Sequence, residues 1–89
     1  MNGDSETLVL IFSRTQNVTA DLVKAAAIQA GFTKGQIKQM GGPTSMSRSQ
    51  AESLLAMIDT REGTNLLSRP FAEGTGTVNG VEFAYVKVG

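Results

Sequence analysis

The feature that most constrains how this chain of 89 residues can fold is the stretch Ala26 to Met40, reading Ala-Ala-Ile-Gln-Ala-Gly-Phe-Thr-Lys-Gly-Gln-Ile-Lys-Gln-Met. Small residues lead up to Gly31, and glycine enters positive φ without steric cost, so a first helix is expected to end there. Beyond it, Thr33 can cap a second helix, Phe32 can cover the turn, and Ile37 and Met40, three apart, share one helical face. Ala27 then allows the two helices to cross closely, and Lys34, Gln36, Lys38 and Gln39 are left pointing outward. Those residue types meet phosphates and base edges. Thr33 to Met40 can also be read as an extended segment after a helix, which makes a β-α-β start. Eight residues are too few for periodicity to decide.

The pattern resembles the helix-turn-helix of bacterial and phage DNA-binding regulators, with Ala27, Gly31, Phe32, Thr33, Ile37 and Met40 in the matching places. The resemblance covers residues 26–40. It implies a small non-enzymatic DNA-binding regulator, of the kind phages and other mobile elements carry, with its helix-turn-helix at about 19–41. Thr33, Lys34, Gln36, Lys38 and Gln39 would then enter the major groove, with Arg14 and Arg48 contributing from two other helix starts. Two departures stand against the family pattern. Gly35 lies inside the expected recognition helix at a cost of about 1 kcal/mol relative to alanine, and a strand takes the place of the helix that usually precedes the pair. A shorter likeness, Thr64 to Pro70 followed by Asn79-Gly80-Val81, resembles the passage that opens the membrane-embedded region of bacterial secretins. The repeats and long strands of that family do not follow, and it does not enter the functional reading.

Thr7 to Ser13 is a continuous apolar run of strand length, rich in β-branched residues, and reads as an interior strand. Thr19 starts a helix with Asp21 in its first turn, where a carboxylate opposes the dipole, and Val18 and Val23 suit a hydrophobic staple. Leu22, Val23, Ala26, Ala27 and Ala30 share one face of it. Ser47-Arg48-Ser49-Gln50 is a capping box. Ala51, Leu54, Leu55 and Ile58 then recur at helical spacing and Gly63 closes the segment, which predicts a helix over Arg48 to Arg61. Asn79-Gly80 between Thr75–Val78 and Val81–Val88 is a strong hairpin signal, because both turn residues tolerate positive φ. Val81, Phe83 and Tyr85 alternate onto one face of that hairpin.

The fold class expected is α+β in a single domain over 1–89, with 1–6 as a disordered tail. An N-terminal strand, two to three helices and a C-terminal β-hairpin give a three-stranded sheet packed on the helices around one core, in which Phe83 and Tyr85 meet Ala26, Leu54, Leu55 and Ile58. If Thr33 to Met40 is extended, the sheet has four strands and the DNA reading falls with it.

The chain has no cysteine and no histidine. That removes a disulfide framework, thiolate metal sites and the commonest acid–base side chain, so no enzyme and no cofactor are expected. No apolar run reaches the length of a membrane span, and the polar, acidic Met1 to Glu6 is unlike a signal peptide, so the cytoplasm is the expected location. Net charge is zero, but residues 7–51 hold Arg14, Lys24, Lys34, Lys38 and Arg48 against Asp21, a segment at +4. That asymmetry fits a basic face for DNA, whereas overall neutrality fits a second function: a small adaptor or inhibitor that binds a larger protein through a sheet edge or helix face. The loops Ser13 to Asn17 and Gly41 to Arg48 precede helix starts, where ordinary capping accounts for their polar residues. Partners are therefore DNA or a larger protein, with a homodimer as an option and no membrane.

Overall fold

The computed structural model describes residues 6–13 and 19–89. The elements in chain order are β1 (Thr7–Phe12), α1 (Ala20–Gln29), a single 3-10 turn (Lys34–Gln36), β2 (Ile37–Gly41), α2 (Arg48–Glu62), a second 3-10 turn (Leu66–Ser68), β3 (Phe71–Val78) and β4 (Val81–Val88). The four strands form one sheet in the order β2-β1-β4-β3. β1 runs parallel to β2 and antiparallel to β4, and β3 and β4 are an antiparallel hairpin. The class is α+β.

Local chemistry sets most of these boundaries. The Thr19 hydroxyl accepts from the N–H of Leu22 at the start of α1. Gly31, at φ +109°, ends the helical segment with its N–H donating to the carbonyl of Ile28. Ser47 and Gln50 form the capping box that opens α2, and Gly63 closes α2 in the left-handed region at φ +66°. The hairpin turns on Asn79 and Gly80, both at positive φ.

The segment expected as a recognition helix, Thr33 to Met40, is a 3-10 turn followed by a strand. Ile37–Gly41 pairs with β1 from Leu8↔Ile37 to Phe12↔Gly41, so the sheet has four strands rather than three and the described residues hold two α-helices. The main cause lies in its neighbour, β1. β1 is buried on both faces, with Leu8, Val9, Leu10 and Ile11 all at 7% exposure or less, so its backbone groups need partners on both edges. Gly35 meanwhile weakens any helix over 33–40, and the α1 crossover delivers 37–41 alongside β1.

Because alternate residues of β1 point to opposite faces, there are two clusters rather than the one core expected. Val9 and Ile11 pack with Ala84, Val86 and Val88 of β4 and Ala51, Leu55 and Ile58 of α2. Leu8, Leu10 and Ile37 pack with Val23 and Ala27 of α1, and Phe32, Phe83 and Tyr85 join that side. The two helices therefore cover opposite faces of the sheet, and Phe83 and Tyr85 meet α1 and not Leu55 and Ile58. The expected staple through Val18 lies outside the described residues. So does the expected tail, apart from Glu6, whose carboxylate is 3.2 Å from Lys87 Nζ.

Candidate interaction surface

The strand order leaves β2 and β3 as the two edges of the sheet. β3 is the longer, at eight residues against five. In a two-residue hairpin the closing pair, here Val78 and Val81, exchanges both hydrogen bonds, and such pairs recur at every second residue. Counting back along the register, Gly76, Gly74 and Ala72 bond to β4. Phe71, Glu73, Thr75 and Thr77 direct their N–H and C=O groups outward. Among the described residues no strand lies beyond them.

One end of this edge is closed. Arg48, at the start of α2, donates from Nη1 to the carbonyl oxygen of Phe71 at 3.2 Å. Its guanidinium carbon sits 4.0 Å above the centre of the Phe71 ring, and Nη1 is 3.6 Å from Glu73 Oε2. A guanidinium can do all three at once because it is planar, with donors in its plane and a face that stacks. Glu73 is the one charged residue of β3; its Oε2 is buried and accepts no hydrogen bond, and the Arg48 guanidinium is its ion-pair partner.

On the α1 side, Gly74 and Gly76 lie opposite Tyr85 and Phe83. A Cβ at Gly74 would stand 2.7 Å from Cζ and Oη of Tyr85, and one at Gly76 would stand 2.7 Å from Cζ of Phe83. The two rings therefore lie across β3 and end above its backbone, which only glycine permits. They are tilted at 43° with centroids 6.2 Å apart. Behind them, between α1 and the hairpin, runs an apolar groove of about 280 Å³ lined by Val23, Ala26, Ala30, Phe32 and the two rings, with Lys87 at its rim. The alanines of α1 are too short to fill it.

The described residues expected to touch DNA are distributed over the first 3-10 turn with its cap, β2 and the start of α2. Thr33 and Gln36 serve each other in the first 3-10 turn, the Thr33 N–H donating to Gln36 Oε1 at 2.9 Å, and Lys34 is exposed on that turn. Lys38 and Gln39 are adjacent in β2 and so point to opposite faces. Lys38 Nζ is 2.7 Å from Glu62 Oε1. Arg48 stands at the other edge of the sheet, and Arg14 lies outside the described residues. With Ile37–Gly41 in a strand, no helix is available at 33–40 to enter a groove. The β3 edge was legible from sequence only over Thr75–Val78, next to the two-residue turn; the strand begins at Phe71 because its pairing with β4 runs on to Val88, which brings Gly74 opposite Tyr85.

Among the described residues Asp59 is a heavily engaged carboxylate, and its bonds are structural. Oδ1 accepts from the Thr64 hydroxyl at 2.7 Å and from the N–H of Leu66, and Oδ2 accepts from the N–H of Leu67 at 2.8 Å. Desolvation opposes its ionisation, but the bonds from Leu67, Thr64 and Leu66 together outweigh it and hold the carboxyl below its usual range. The charge thus fastens the turn between α2 and β3. Among the described residues no group of His, Cys, Asp and Glu is placed to hold a metal ion, and no helix is long and apolar enough to cross a membrane.

No protein-family model, curated protein or solved structure matches the chain. The described residues form a small α+β fold whose mixed four-stranded sheet carries a helix on each face and one long edge with no described strand beyond it.

Proposed function

We propose that the chain is a small non-catalytic protein-interaction module that pairs the β3 edge of its sheet with an extended segment of polypeptide. The observation that carries this reading is the character of β3. Natural edge strands are blunted by shortness, charged side chains, proline, a bulge or a covering element, and on β3 such features are confined to one end, where Glu73 pairs with Arg48 and Arg48 bonds the Phe71 carbonyl. β3 has eight residues, no lysine or proline inside it, and regular pairing with β4 along its whole length. Strand addition draws its affinity from main-chain hydrogen bonds and its selectivity from alternate side chains, and the row Glu73, Thr75, Thr77 supplies the first. Binding duplex DNA through residues 33–40 has no comparable support, since those residues form a turn and a strand.

The test is a titration of isotopically labelled chain with extended eight-residue peptides of alternating threonine and valine, following backbone amide shifts. Shifts centred on Glu73, Thr75 and Thr77, and lost in Thr75→Pro, are expected, because proline removes an outward N–H that an added strand needs. Peptides that leave those amides unmoved in a monomeric chain overturn the reading. So does a labelled DNA duplex that binds while the peptides do not.

A further inference from the structure

We propose that the segment docking on β3 is β3 of a second copy of this chain, in an antiparallel register that places Thr75 opposite Thr75 of the second copy. The inference rests on the strand-addition reading above and names its partner.

Three features of the edge are complementary to themselves in that register. The first is the backbone. A two-fold axis through the Thr75 pair sets Glu73 opposite Thr77 of the second copy and Thr77 opposite its Glu73. All three residues direct their N–H and C=O outward, so each pair exchanges both bonds, roughly six in all. The ladder ends where Arg48 already occupies the carbonyl of Phe71.

The second is charge. Each Glu73 meets a neutral threonine, and the two Glu73 side chains stand four residues apart along the seam, roughly 13 Å. Each also keeps its own Arg48 at 3.6 Å. Like charges directly opposite one another would destabilise the pairing, and this register has none.

The third is the ring platform. Gly74 falls opposite Gly76 of the second copy, so no side chain from either strand stands between the rings on the α1 side. Tyr85 ends above Gly74 and Phe83 ends above Gly76. Neighbouring strands are about 4.8 Å apart, which brings the tip of Tyr85 against the tip of Phe83 of the second copy, and the reverse across the axis. Aromatic contacts form at that spacing. The seam gains an apolar cover on one face that an unrelated strand would have to provide with its own side chains.

The chain contains no cysteine, so single cysteines report proximity without background. The experiment is sedimentation of the full chain from micromolar to millimolar concentration, alongside disulfide trapping. A monomer–dimer equilibrium is expected, with Thr75→Pro weakening it at least about tenfold because the two-fold axis repeats the loss on both copies. Circular dichroism and a urea melt confirm that this variant is folded. Under mild oxidation Thr75→Cys is expected to cross-link much faster than Ser53→Cys, on the exposed face of α2. A chain that stays monomeric at millimolar concentration overturns the proposal, as does a dimer indifferent to Thr75→Pro or a Thr75→Cys that cross-links no faster than Ser53→Cys. If the extended peptides still shift Glu73, Thr75 and Thr77 in a monomeric chain, the self-pairing fails while strand addition stands. If they shift nothing, both fail.

Discussion

The two faces of the sheet are built on different terms. On the α2 side, Val9, Ile11, Ala51, Leu55, Ala84, Val86 and Val88 are wholly buried and Ile58 and Leu66 nearly so. α2 has fifteen residues and sets Leu55 and Ile58 onto the strands. On the other side α1 has ten residues and offers mainly Val23 and Ala27, and the rings of Phe83 and Tyr85 reach outward across β3. Branched side chains at helical spacing fill a face. Alanines bring a helix close and leave the space beside it open. The α2 side therefore holds the larger and more fully buried of the two clusters, and the α1 side keeps a groove beside its smaller one.

The largest expected effect tests the filled side. Leu55→Ala removes a side chain with no solvent exposure and should cost about 2–5 kcal/mol, the range for deleting a buried leucine. A urea melt measures it, and a cost under 1 kcal/mol would mean that α2 is not the principal cover of the sheet.

Adding one methyl group to each side sharpens the contrast. A Cβ at Gly42 would meet Ile11 Cγ2 at 2.8 Å, inside the filled cluster, and at Gly74 it would meet the far end of Tyr85. Gly42→Ala should cost about 1–3 kcal/mol by overpacking. Gly74→Ala should cost less than about 1 kcal/mol, since the ring can swing toward the groove, while still changing the near-ultraviolet dichroism of Tyr85. Equal costs would erase the distinction between the two sides.

Ser47→Ala should cost about 1 kcal/mol by freeing the N–H of Gln50 at the start of α2. Thermal melts showing it worse than Leu55→Ala would reverse the order of cap and core. The last difference concerns acid. The Asp59 carboxyl is held below its ordinary value in the folded state, so its contribution is present above the unfolded value of about 4 and is lost as pH falls through the folded one. The wild type should therefore be more stable than Asp59→Asn at pH 7, with the gap narrowing in acid. A gap independent of pH would show that the turn after α2 does not depend on that charge.

Those elements whose limits are written in neighbouring residues were legible in advance. β1 is an unbroken apolar run, Ser47 to Gln50 caps α2, Gly31 and Gly63 end helical segments, and Asn79-Gly80 makes the hairpin. β2 was legible only as an alternative to a helix, because Lys38 and Gln39 give it no apolar run and its partner lies about thirty residues upstream. The positions singled out for DNA share the same weakness. Lys38 and Arg48 read as free cations in the sequence, but the fold sets them against Glu62 and Glu73, carboxylates from distant segments. Which strand becomes an edge is equally non-local, since it follows from β1 and β4 meeting in the middle of the sheet.

That meeting has a consequence for how the protein comes into being. β1 spans residues 7–12 and its antiparallel partner residues 81–88, so the central pair of the sheet joins segments some seventy residues apart. During synthesis β1, α1 and β2 leave the ribosome first and can associate, yet the other edge of β1 stays unpaired until β4 has emerged. Non-local pairing of this kind slows folding, and an apolar strand left half-paired is prone to aggregate. Stalling or truncation within residues 63–80 should release a chain with β1 exposed, more aggregation-prone than one halted before β1 or completed through β4.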